Sequence, residues 1–219
     1  MGNVKENLLR IQEDIAPYTT NIIAVTKYFD ESKLIEAYEA GIRDFGESRI
    51  PEAIDKINRL PEDIRKNSKF HFIGHLQSNK VKKVVGFFDY IHSVDSVKLA
   101  EEIAEEAKSK GIVQKIFVQV NNANEEQKFG FSRDDIFQSF GGLKTLKGID
   151  ILGIMNIAPF GVGEEVLKNL FLDIRNLRDE LEKTYNCELK ELSMGMSCDY
   201  KQAVEAGATM VRIGRKLFQ

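Results

Sequence analysis

Eight short β-rich runs, IIAVTK, IRDFGE, KFHFIG, FDYIHS, KIFVQVN, DILGIMN, ELSMGM and TMVRIG, alternate with helical patterns along almost the whole chain. The helical patterns fall at 31–40, 51–60, 79–87, 96–110, 134–140, 164–185 and 199–206, and a further one leads the chain at 3–16. Strands that return through a helix can pair in parallel, and a parallel sheet needs helices over its faces. Over 219 residues, eight units take about 27 residues each, which is compact but sufficient for a barrel. The expected fold class is therefore α/β: a single parallel (β/α)8 TIM barrel over residues 1–219, one domain, with an extra N-terminal helix in the place left after the last strand. An open doubly wound sheet is the alternative. Its first strand–helix turn should carry G-x-G-x-x-G, yet AVTKYFDES has no glycine, and the GVG at 161–163 lacks a third glycine and follows a late strand. Local signals agree with the alternation. Asp30 and Asp95 stand as N-caps, Ser132 with Asp135 resembles a capping box, and Gly41, Gly111 and Gly207 follow helical runs as C-terminal glycines do.

With 42% hydrophobic and 30% charged residues the chain can bury a full core. A net charge of -3 offers no basic field for nucleic acid, so any phosphate it takes should be small and locally held. No stretch approaches the roughly twenty apolar residues of a membrane span. The opening MGNVKENLLRIQEDI reads as a polar amphipathic helix, and Glu6 stands where a myristoylation signal wants Ser or Thr. A cytoplasmic protein is expected. Cys187 and Cys198 make neither a disulfide framework nor a zinc site. His71 and His75 bracket a strand end in HFIGH, where four residues separate side chains by about 13 Å, so no metal site is expected.

Functional groups of such a barrel gather at the C-terminal ends of its strands. Those ends carry Lys27, the FGES set ending in Ser48, His75 to Lys80, Asn121 and Asn122, Met155 and Asn156, the SMGMS set ending in Ser197, and Arg212 to Gly214. In NIIAVTKYFD a single lysine closes an apolar, β-branched run. A desolvated ammonium loses its proton more readily and becomes an amine able to attack carbonyls; the alternative is the first solvated residue after a strand. The rim has no carboxylate pair spaced for glycosidase work and no Ser-His-Asp elbow. Glu47 is its one carboxylate at a strand end, to be read as solvated or arginine-paired unless it is functional. Strands seven and eight of such barrels commonly build a phosphate pocket from loop amides. Ser197 Oγ with the amides of Gly214 and Arg215 would make it, or else they are a cap serine and a turn glycine. A reactive lysine beside a phosphate pocket suggests pyridoxal 5'-phosphate.

AVTK, FGES, HFIGHLQSNK, KFGF, SMGMS and VRIG, in that order and over nearly the whole chain, resemble the pyridoxal phosphate homeostasis proteins, the YggS/PROSC family. The resemblance implies a monomeric or loosely dimeric barrel similar to the N-terminal domain of bacterial alanine racemase. It places an internal aldimine on Lys27, phosphate contacts at Ser197, Gly214 and Arg215, and Arg212 against the pyridine nitrogen. Ser48 and Met194, in the FGES and SMGMS motifs, join the cofactor-binding set. A guanidinium neither releases a proton at neutral pH nor accepts a hydrogen bond, so facing that nitrogen it weakens the ring as an electron sink. Alanine racemase tolerates this because a second domain supplies a tyrosine base from a partner subunit. The sequence here runs only a few residues beyond the eighth strand, and the expectation is a holder or donor of the cofactor, with PLP-dependent apo-enzymes as partners and no catalytic residue assigned. Two other readings stand beside it: a small amino-acid racemase with His75 as second base, and a phosphate-binding barrel without a covalent link. The chain departs from the family pattern in GES for the usual GEN, which puts Ser48 in place of an amide and leaves room for a water. It departs again in IGRKLFQ, where Lys216 adds positive charge beside the phosphate pocket. Lys128 in EEQKFGF matches a family lysine near the barrel mouth, a transient second cofactor site or a solvated loop lysine.

Overall fold

The computed structural model describes residues 3–123, 125 and 129–219. Eight strands, β1 (Asn21–Val25), β2 (Asp44–Glu47), β3 (Lys69–Phe72), β4 (Tyr90–Val94), β5 (Gln114–Val120), β6 (Ile149–Asn156), β7 (Glu191–Met196) and β8 (Met210–Ile213), pair in parallel and in chain order into a closed barrel. β1 closes it by pairing with β8 in the register Ile23 to Arg212. Around it run α1 (Val4–Ile15), α2 (Glu31–Glu39), α3 (Ile50–Arg59), α4 (Glu62–Lys66), α5 (Val81–Val84), α6 (Val97–Ser109), α7 (Arg133–Thr145), α8 (Glu164–Tyr185), α9 (Tyr200–Glu205) and α10 (Arg215–Phe218). The eight-stranded barrel and its leading helix are as the alternation predicts. No helix among the described residues is long and apolar enough to cross a membrane.

Local differences have local causes. The helix expected at 79–87 opens as a 3-10 turn at Ser78–Lys80 and ends at Val84, because Gly86 takes φ +79° and turns the chain out. The helix expected at 134–140 continues to Thr145 through Gly141 and Gly142. A Cβ at Gly141 would lie 3.1 Å from the ring of Tyr185, so close packing of α8 on α7 uses the missing side chain there. Ser96, not Asp95, caps α6, accepting from the Leu99 amide at 3.3 Å. The two unforeseen helices, α4 and α10, are too short to show a period.

Strand alternation divides the core in two. Phe45, Phe72, Ile91 and Met194 face outward with Ile103, Phe171 and Leu177 of the helices in the main apolar layer. Ile23, Phe117, Met155 and Met210 form a separate cluster inside the barrel, where His71, His92, Ser193 and Arg212 are also buried.

α1 packs on α2, α9 and α10 and so completes the helical ring. It buries Val4, Leu8, Ile11 and Ile15 and is fastened by Asp14, which pairs with Lys201 at 2.6 Å and Lys216 at 3.0 Å and accepts from the Tyr200 hydroxyl. Hydrogen bonds from Lys201, Tyr200 and Lys216 hold the Asp14 carboxyl well below the usual carboxylate range. A depressed folded-state value stabilises the fold above about pH 4 and that stabilisation is lost as pH falls toward the depressed value. Asp14→Ala is accordingly expected to lower unfolding stability by about 1–2 kcal/mol at neutral pH. Urea titrations should show the gap between wild type and variant narrowing with acidification.

Candidate functional site

A cavity of about 1140 Å³ opens at the C-terminal ends of the strands, and Lys27, Ser48, Ser197, Arg212, Gly214 and Arg215 all line it. Six of the seven cofactor-binding residues expected from the sequence thus meet in one place. Met194 does not. With Ser193 turned inward, pleating sends Met194 out to the helices, where it is fully buried. Gly195 at φ +89° and a register shift between Ser193 and Met196 then interrupt the alternation, and Met196 lines the cavity instead.

Lys27 lies two residues past β1, half-buried, with Nζ 5.1 Å from the centre of the exposed Tyr28 ring. No carboxylate among the described residues pairs with it. The segment that carries it is braced from below by a buried ion pair missed in the sequence. Lys56 Nζ lies 2.5 Å from Glu47 Oε1 and donates to the carbonyls of Thr26 at 2.7 Å and Phe29 at 3.0 Å. The Thr26 hydroxyl donates to the same Glu47 oxygen at 2.5 Å. Glu47 is therefore neither solvated nor arginine-paired: at 1% exposure it is a structural counter-ion to Lys56. The signal available in the sequence was Lys56 on the same face of α3 as Ile50, Ala53 and Ile57, all buried.

Where β7 and β8 end, beside β1, Ser197 Oγ accepts from the amides of Gly214 at 3.3 Å and Lys216 at 3.4 Å. These two N–H groups, at the start of α10, thus converge on a single oxygen, and both bonds are long. Arg215 is exposed beside them, its Nη2 3.7 Å from Cys198 Sγ. The extra charge expected from Lys216 is directed elsewhere, since its ammonium is held by Asp14 and lies 4.8 Å over the Tyr200 ring.

Arg212 forms part of the floor. Its Nη1 donates to the carbonyl and hydroxyl of Ser193, both at 2.7 Å, and its Nη2 to the Asn156 carbonyl at 2.8 Å. Of five N–H donors three are used, leaving Nε–H and one Nη2–H for a ligand. Burial lowers its pKa to about 10, against a smaller upward pull from Asp199, so it stays cationic at neutral pH. Ser48 Oγ is buried and has no hydrogen-bond partner among the described residues. Its position is set by Gly74, where a Cβ would come within 2.5 Å of the Ser48 carbonyl.

His75, the candidate second base of the racemase reading, is not among the lining residues; it pairs with Asp95 at 3.3 Å and stacks on Phe129 at 3.7 Å. Asn156 and Asn122 bond each other at 2.9 Å between β6 and the loop after β5. Lys128 lies outside the described residues. No group of three His, Cys, Asp or Glu among the described residues could hold a metal ion.

The arrangement offers an amine, a fixed cation, an orphaned hydroxyl and an anion cradle in one cleft. The family model described as "Alanine racemase, N-terminal domain" matches residues 1–219. A pyridoxal phosphate homeostasis protein of Synechocystis is 40% identical over 92% of each chain. This chain belongs to the pyridoxal phosphate homeostasis protein family. The human pyridoxal phosphate homeostasis protein is 34% identical over 98% of this chain and 82% of its own. Among solved structures, PipY of Synechococcus elongatus PCC7942 with PLP bound superposes with a TM-score of 0.90 at 37% identity, covering 99% of this chain and all of that one. Alanine racemase of Clostridium difficile 630 shares the fold at a TM-score of 0.76 and 18% identity, and this chain covers 56% of it.

Proposed function

We propose that this member of the family binds pyridoxal 5'-phosphate through Lys27 and holds it in the cytoplasm for delivery to PLP-dependent apo-enzymes. The observation that carries the reading is the convergence of Lys27, Arg212 and the Ser197 cradle on one cavity, in a chain 37% identical to a relative whose structure contains PLP. The residues fit that group. Lys27 Nζ supplies an amine with no competing carboxylate among the described residues, Ser197 with the amides of Gly214, Arg215 and Lys216 receives the phosphate, and Ser48 Oγ is a buried hydroxyl with no partner among those residues. When bound, the cofactor supplies an aldehyde for covalent attachment and a ring that can draw electron density from an attached amine. Arg212 works against the second of these properties. A guanidinium kept cationic at neutral pH has only protons to offer, so a ring nitrogen facing it stays unprotonated and the ring is a weak electron sink. Retention is favoured over turnover. The carrier is proposed to act as a monomer or weak homodimer.

The test is an absorbance spectrum of protein incubated with pyridoxal phosphate, followed by borohydride reduction and peptide mass mapping. A visible band and a reduced pyridoxyl mass on the Lys27 peptide are expected. A colourless protein that remains unmodified would sink the proposal.

A further inference from the structure

Beneath the cavity floor a line of polar side chains crosses the barrel interior. Arg212 Nη1 lies 2.7 Å from Ser193 Oγ, Ser193 Oγ 2.9 Å from His92 Nδ1, His92 Nε2 2.9 Å from His71 Nδ1, and His71 Nε2 2.8 Å from Asp44 Oδ1. The five residues come from β8, β7, β4, β3 and β2. His71, His92 and Ser193 are buried to within 1% of completely, whereas the Asp44 side chain is 17% exposed. Asp44 is the first residue of β2, so it opens at the end of the barrel opposite the cavity. Stacking fixes the imidazole planes, His92 on Phe117 at 4.1 Å and His71 on Tyr90 at 4.4 Å.

Donor counting gives this line one direction. Arginine can only donate, so Ser193 Oγ accepts from it. The remaining neighbour of that hydroxyl among the described residues is His92 Nδ1. Were His92 protonated there, the serine proton would face two donors and have no acceptor, an expensive vacancy at a buried site. Ser193 therefore donates to His92 Nδ1. Burial, then the neighbouring His71 and Arg212, hold the His92 pKa well below its ordinary value, and the ring is neutral. A neutral ring accepting at Nδ1 carries its proton on Nε2, which donates to His71 Nδ1, and by the same step His71 donates from Nε2 to Asp44. Every hydrogen bond then points from the guanidinium to the carboxylate, and aligned bonds in a low-dielectric interior polarise one another.

We propose that Ser193, His92, His71 and Asp44 are positioning residues for Arg212, a one-way relay that pins one edge of the guanidinium and so fixes which N–H groups face the cavity. The consequence for a bound cofactor rests on the function proposed above; the relay itself does not. It makes the ring-nitrogen contact depend on a carboxylate at the far end of the barrel. A residue needed only for packing would not have that effect.

The experiment has two arms on the full chain. Imidazole ¹⁵N spectra of the cofactor-free protein at neutral pH are expected to show His92 and His71 both neutral with the proton on Nε2, and Asp44→Ala is expected to mix the tautomers in both rings. Pyridoxal phosphate titrations of Asp44→Ala and Ser193→Ala should then show a displaced visible band and affinity weakened about three- to tenfold, the scale of one misaligned hydrogen bond. Phe171→Leu, in the outer apolar layer and in contact with no member of the relay, should lower thermal stability and leave band and affinity in place. A proton on His92 Nδ1, or a band and affinity in Asp44→Ala identical to wild type, would overturn the relay. Failure of wild type to take up any cofactor would instead overturn the proposed function, with the tautomers and their response to Asp44→Ala still deciding the relay.

Discussion

Lys27→Ala is expected to abolish the visible band of pyridoxal phosphate-treated protein and to leave no pyridoxyl group on the rim after borohydride. The noncovalent wall of the cavity survives this substitution. Ser197 Oγ still accepts from the Gly214 amide, and Arg212 is still held by Ser193 and Asn156. About three charge-assisted contacts worth roughly 1.5–3 kcal/mol each leave residual binding of millimolar to micromolar order. Equilibrium dialysis of the variant should therefore detect weak, rapidly exchanging ligand where wild type retains it through gel filtration. Lys27→Arg separates charge from nucleophilicity, because it keeps a cation at the cavity mouth and supplies no amine able to attack an aldehyde. It should behave as the alanine variant does in the spectrum and bind somewhat more tightly in dialysis. Unchanged affinity in Lys27→Ala would instead favour a phosphate-binding barrel with no covalent link.

Much of this architecture was legible because two periods alternate without interruption. Strand ends are where barrel function collects, so Lys27, Ser48, Ser197, Arg212, Gly214 and Arg215 could be placed on one rim from pattern and family resemblance together. Met194 failed for a reason a linear reading misses. The left-handed Gly195 and the register shift beside it change which side of β7 each residue faces, and a strict count of two cannot anticipate that. Charge pairing was equally opaque. Glu47 and Lys56 are nine positions apart on a strand and the following helix, and their contact exists only once α3 docks. The interior relay joins residues separated by as many as 168 positions, from Asp44 to Arg212, and becomes visible only when the barrel closes. In the sequence His71 stands near His75 in HFIGH, whereas its hydrogen-bond partner in the fold is His92 on the adjacent strand.

Lys56→Met should have the largest effect on stability of any single change near the site, about 3–5 kcal/mol, because it strands a buried carboxylate. Glu47 is 1% exposed and its Oε1 already accepts from Thr26, so water cannot replace the lost ammonium without opening the packing. The double variant Glu47→Leu/Lys56→Met removes both charges and should recover most of that loss, as buried pairs replaced by apolar residues commonly do. Urea denaturation of the two single variants and the double provides the coupling directly. Recovery of stability should not restore the site. The Lys56 ammonium also ties the carbonyls of Thr26 and Phe29, the residues that bracket Lys27 and Tyr28. Without that donor the segment loses this attachment to α3, and the amine is no longer held beside the Ser197 cradle. The double variant is therefore expected to fold with near-normal stability yet retain pyridoxal phosphate poorly through gel filtration. Full retention in a stable double variant would mean that the strand end alone positions Lys27, and that the buried pair serves the fold only.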